Sequence, residues 1–75
     1  MNPISNPTSS EITALCRKIR IEIPKAKIER VPGQCAFTVD LGKAFCTAIY
    51  TDSWQLVPSE SFPSEAFLAL EKILS

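Results

Sequence analysis

Val31-Pro32-Gly33-Gln34-Cys35-Ala36-Phe37-Thr38-Val39-Asp40-Leu41-Gly42-Lys43-Ala44-Phe45-Cys46-Thr47-Ala48-Ile49-Tyr50 is the stretch that decides the fold. Pro32 and Gly33 occupy the two central positions of a type II turn, where proline presets the first dihedral and glycine accepts the positive second one. Cys35, Phe37, Val39 and Leu41 then alternate with small or polar residues, which is the period of a half-buried strand. Asp40-Leu41-Gly42-Lys43 is a second turn. Ala44 to Tyr50 follows, rich in β-formers and apolar on both faces, and predicts the central strand. Upstream, Ala26 and Ile28 alternate in the same way and place a strand before the first turn. Thr51-Asp52-Ser53 is a third turn, and Trp54-Gln55-Leu56-Val57 predicts a short fourth strand.

A helix is expected on either side of this meander. Thr8-Ser9-Ser10-Glu11 matches a capping box, in which the hydroxyl accepts an orphan helix N–H and the acid accepts the cap's own. Behind it Ile12, Leu15, Cys16, Ile19 and Ile23 recur at helical spacing as one apolar stripe. Pro24 forces the chain out of helix at or before Ile23. The run Ile19-Arg20-Ile21-Glu22-Ile23 alternates and reads as an extended last turn. After a loop from Pro58 to Ser61, Ser61 or Ser64 is expected to cap the last helix, with Pro63 near its first position. Ala66, Phe67, Leu70, Ile73 and Leu74 carry its stripe to the chain end.

The fold class is therefore α+β: a helix, an antiparallel sheet of three or four strands, and a helix, with both helices on one sheet face. That arrangement buries both stripes. Residues 8–75 form this single small domain, and Pro3, Pro7 and the asparagines and serines around them make residues 1–7 a flexible arm. A chain of 75 residues gains only about 3–5 kcal/mol from its core, so a homodimer or a place in a larger complex would supply further burial.

The composition also excludes chemistry. The three cysteines, Cys16, Cys35 and Cys46, are odd in number and lack C-x-x-C spacing, and the chain has no histidine. Zinc sites need such ligands in close pairs, and secreted domains of this size carry even sets of cysteines. Three reduced, buried thiols in a cytoplasmic protein is the reading adopted, with no metal and no cofactor. No stretch approaches the roughly 18 apolar residues of a membrane span. Without histidine the usual general base near neutral pH is missing. Asp40 and Asp52 lie in turns, where aspartate is a structural choice, and Glu60 and Glu65 flank a helix start. No enzyme is expected.

Charge is the feature with a functional direction. Arg17, Lys18, Arg20, Lys25, Lys27 and Arg30 face only Glu22 and Glu29, so residues 17–30 carry +4 in a chain of net charge zero. Residues 31–75 carry −3. Segregation of this kind gives a surface a preferred partner side. These six cations are the candidate binding residues for an acidic protein partner or, alternatively, for nucleic acid. Trp54, beside a turn, is a candidate interface aromatic, and the sheet edge near it a candidate for pairing. The aromatics do not interleave with the basic residues as stacking on bases would require.

Leu15-Cys16-Arg17-Lys18 in the first helix, Pro24, the Val31-Pro32-Gly33 turn, Phe37-Thr38-Val39, and Ala66 with Ala69-Leu70 together resemble the double-stranded-RNA-binding domain over about residues 10–75. The resemblance implies a helix, an antiparallel sheet and a second helix packed on one sheet face. Its RNA contacts are largely missing. The family's first strand loop carries Gly-Pro-x-His, where this chain has Pro32-Gly33-Gln34. Its second helix opens with lysines that grip phosphates, where this chain has Ser59-Glu60-Ser61-Phe62-Pro63-Ser64-Glu65. The resemblance thus implies a degenerate member acting as a non-enzymatic protein-interaction module, a small adaptor or inhibitor subunit. Binding to double-stranded RNA or DNA through the basic strip 17–30 is the alternative.

Overall fold

The computed structural model describes residues 6–75, and the arm expected over residues 1–7 lies outside them as far as Ser5. Asn6 is exposed, and the carbonyl of Pro7 accepts a long contact from the Cys35 thiol at 3.7 Å. The capping box then forms as the sequence dictates. The Glu11 amide donates to Thr8 Oγ1 at 3.2 Å, and the Thr8 amide donates to Glu11 Oε1 at 2.8 Å. Helix α1 runs Ser9–Glu22 and buries Ile12, Cys16 and Ile19. The alternation at its end does not unwind it. Intrahelical bonding continues to Glu22, and the amide of Ile23 still reaches the carbonyl of Ile19 at 2.7 Å before Pro24 ends the run.

Four strands follow as an antiparallel meander in sequence order: β1 (Lys27–Arg30), β2 (Ala36–Asp40), β3 (Phe45–Tyr50) and β4 (Trp54–Pro58). Gly33 adopts φ +75° between β1 and β2, and the Gln34 amide closes that turn on Val31 at 3.2 Å. Gly42 adopts φ +96° between β2 and β3, and its amide donates to Asp40 Oδ1 at 2.7 Å. Both backbone positions favour glycine, as the turn chemistry requires. The register opposes Ile28 to Val39, Val39 to Cys46 and Cys46 to Pro58, with Phe37 opposite Ala48 and Ala48 opposite Leu56. These residues share one face of the sheet.

Helix α2 (Ser64–Leu74) buries Ala66 and Leu70. Neither expected serine caps it. Pro63 holds the cap position in extended conformation with no side-chain bond, and the Ser61 hydroxyl instead donates to the Lys43 carbonyl at 3.2 Å. Ser59 takes the other tie: its hydroxyl accepts from the Phe45 amide at 3.1 Å, fastening the end of β4 to the start of β3. Ile12, Cys16 and Ile19 of α1, Phe37 and Val39 of β2, Cys46 and Ala48 of β3, and Leu70 of α2 form one core. Both helices therefore cover the same face of the sheet, and this is the α+β architecture expected.

Leu70 is fully buried, whereas Leu68, two residues earlier, is 62% exposed. Leu70→Ala should cost about 3 kcal/mol and lower the melting temperature by more than about 12 °C. Leu68→Ala should leave the melt within about 3 °C. Equal effects of the two substitutions in thermal melts followed by circular dichroism would contradict this packing.

Candidate functional site

The six cations of residues 17–30 do not share one surface. Helical rotation of about 100° per residue sets Ser9, Thr13, Arg17 and Arg20 on one flank of the buried stripe of α1. Lys18 and Glu22 fall on the other flank. The first flank meets β1. Arg30 has the same strand parity as Ile28 and turns toward the helices, where Nη1 donates to Thr13 Oγ1 at 3.1 Å and Nη2 to Ser9 Oγ at 3.2 Å. The Thr13 hydroxyl in turn donates to the Ser9 carbonyl at 2.9 Å. Arg30 thus fastens the first turns of α1 to the edge of the sheet.

The remaining cations are dispersed. On the second flank Lys18, Ile21 and Glu22 line a groove of about 250 Å³ with Ala69, Lys72 and Ile73 of α2. Lys25 sits in the turn before β1, and Lys27 lies on the helix-free side of the sheet, opposite Asp40 in register. The structure thus brings Arg17, Arg20 and Arg30 to one flank and leaves Lys18, Lys25 and Lys27 away from it.

Trp54 is half-buried. Its ring lies 5.4 Å from that of Phe37 with planes tilted at 60°, and 5.4 Å from that of Tyr50 in an edge-to-face arrangement at 72°. Such pairs add to the burial of each ring. The indole closes one end of the core, and only part of it faces outward.

A surface that the charge pattern does not reveal lies on the other side of the sheet. Phe45, Ile49 and Val57 are 51%, 37% and 55% exposed. They share the helix-free face, with Thr47 between them and opposite Val57. Thr38 continues the central row with Thr47 and Val57, Ala36 and Gln55 flank Ile49 in the end row, and Lys27, Glu29 and Asp40 keep to the β1 side. The sequence signal was present in the strand reading: β3 is apolar on both faces, yet the two helices offer one buried stripe each, enough for one sheet face.

Cys16 and Cys46 are buried, and Cys35 is half-buried. Burial pushes the Cys16 thiol above its ordinary value of 9.0, against the opposing pull of Arg30 and Arg20. Burial likewise pushes Cys46 up, against a hydrogen bond with the Val57 backbone. Both sites favour the neutral thiol, the reverse of what an activated thiolate needs. Among the described residues no three His, Cys, Asp or Glu side chains converge as metal ligands, and no helix is long and apolar enough to cross a membrane. Comparison with protein-family models, with curated proteins and with solved structures gives no match.

These thiols titrate later in the folded chain than in the unfolded one, so the folded state holds more protons in the alkaline range. Their contribution to stability is complete below about pH 9 and is lost as pH rises through the folded-state values. Urea denaturation from pH 7 to 10.5 should show stability falling above pH 9, with a shallower fall for Cys46→Ala. An identical alkaline slope in parent and variant would contradict the burial of this thiol.

Proposed function

We propose that the chain is a non-enzymatic protein-interaction module, a small adaptor or inhibitor subunit, that meets its partner through the helix-free face of the sheet. The observation that carries this reading is the placement of Phe45, Ile49 and Val57, all exposed, on that one face. Exposed apolar side chains gathered on one surface mark interaction sites far more often than scattered ones do. Acidic groups on the partner would be met by Lys27 at the border of the face, and by Arg17 and Arg20 where the contact reaches α1. The helix, sheet and helix order suits the degenerate double-stranded-RNA-binding fold, and Glu60 and Glu65 are both exposed at the approach to α2. Carboxylates there repel phosphate, which favours a protein partner over a duplex. Three free thiols suit the reducing cytoplasm.

The second reading is nucleic-acid binding along the α1–β1 flank. Arg17, Arg20 and Arg30 favour it, because three arginines along one flank can contact successive phosphates. The remaining three cations of the basic strip lie off that flank and add nothing to such a track.

The two readings separate in a paired experiment. The parent should capture a protein from a lysate of its source cells in stoichiometric amount, and Phe45→Ser with Val57→Thr should lose it while keeping the parent's circular dichroism. Neither form should bind duplex RNA at low salt. Duplex binding that weakens steeply with salt, is lost in Arg17→Glu with Arg20→Glu and is indifferent to the sheet-face changes would contradict the proposal and establish the second reading.

A further inference from the structure

The two edges of the sheet differ in kind. The β1 edge carries Lys27, Glu29 and Arg30 among its four residues, with Arg30 bound to α1. Charges along an edge are a common device against pairing with other chains. The β4 edge, Trp54-Gln55-Leu56-Val57-Pro58, has no charge at all. Among the described residues no strand pairs with it on the side away from β3.

The ladder fixes which backbone groups are free. The Ser59 amide donates to the Phe45 carbonyl at 2.8 Å, and the Thr51 amide donates to the Ser53 carbonyl at 3.1 Å. Alternation along an antiparallel pair then makes Val57 and Gln55 the residues of β4 that bond β3. Trp54, Leu56 and Pro58 direct their backbone groups outward, and for Pro58 the missing N–H costs the meander nothing. Two N–H groups and their carbonyls, on Trp54 and Leu56, are left without a strand. Behind this edge a groove of about 370 Å³ opens between β4 and α2, lined by Trp54, Leu56, Phe67 and Leu74, with Glu71 the charged residue of its rim.

A strand that fits here must be short and uncharged, with apolar side chains at alternate positions on its helix side. Among the described strands β4 itself has that composition and a free edge. We infer that a second copy of this chain adds its β4 to this edge, antiparallel about a two-fold axis at Gln55, to form one continuous eight-stranded sheet. In that register Trp54 of one copy faces Leu56 of the other. Each Trp54–Leu56 couple exchanges two bonds, so the free N–H groups of Trp54 and Leu56 in both copies find carbonyls. The two Gln55 side chains meet across the axis on the helix-free face. No charged residue of either strand opposes another. The pairing is made by the outward backbone groups of Trp54 and Leu56 and touches the helix-free face only at Gln55, whereas the partner is read through Phe45, Ile49 and Val57, so either can fail without the other.

Sedimentation velocity on the purified full chain from 5 to 300 µM tests this pairing. The expected result is a reversible dimer of twice the 8.3 kDa chain mass. Gln55 is exposed and its side chain is not part of the core, so Gln55→Glu and Gln55→Lys keep the fold, checked by circular dichroism. Each should raise the dimer dissociation constant roughly fivefold by placing like charges opposite one another. An equimolar mixture of the two should associate at least as tightly as the parent. A synthetic chain with the Leu56 amide N-methylated, which touches only an outward N–H, should remain a monomer. A parent that stays monomeric throughout, or a dimer indifferent to both the Gln55 charges and the N-methyl group, would overturn the inference. Protein capture through Phe45 and Val57 would stand in either case.

Discussion

The burial of two helical stripes against a single face of the sheet is the constraint on which the rest of the molecule depends. Phe37, Val39 and Cys46 from the strands meet Ile19 and Leu70 from the helices, and each of these five side chains is fully withdrawn from water. Burial of apolar surface is the dominant favourable contribution to folding, and a chain of this length has no material for a third layer. Once both helices occupy one face, the other is left to solvent whatever its side chains are. Phe45, Ile49 and Val57 are bare for that reason, and the β4 edge is open because none of the described residues adds a strand beyond β4.

The same constraint decides what the cations can do. Strand parity sends Arg30 inward with Ile28, where it bonds two hydroxyls of α1 and becomes part of the scaffold. Helical rotation separates Lys18 from Arg17 and Arg20, and the turn and the opposite sheet face take Lys25 and Lys27. A run that is dense in the chain becomes several small groups in space. The feature that survives folding is apolar: β3 and β4 carry no charged residue, and their exposed side chains Phe45, Ile49 and Val57 lie together on the helix-free face.

Much of the fold was legible because the turns announce themselves. Pro32-Gly33 and Asp40-Leu41-Gly42 require specific backbone signs, and Gly33 and Gly42 supply them. Thr8 and Glu11 likewise fix the start of α1. Local chemistry was less decisive at Ile19–Ile23, where strand-like alternation lost to continued helical bonding, and at Pro63, where a proline holds the cap in place of a serine. The sites were less legible than the fold. A count of charges along the chain carries no parity, so the inward turn of Arg30 was hidden until β1 was set in register with β2. The apolar outer residues of β3 look, in sequence, like those of a strand covered on both faces. Only the number of available helices reveals that one cover is missing.

Hydrogen exchange resolved by residue, measured at several protein concentrations, addresses the central claim most directly, namely that the open β4 edge, and not the basic α1 flank, is where the molecule associates. The amides of Thr47, Val57 and Gln55, bonded within the meander, should be protected at every concentration. Those of Trp54 and Leu56 should exchange freely at low concentration and become protected as it rises, while the α1 flank of Arg17 and Arg20 stays unchanged. Concentration-dependent protection confined to the α1 flank, or Trp54 and Leu56 amides indifferent to concentration, would contradict it.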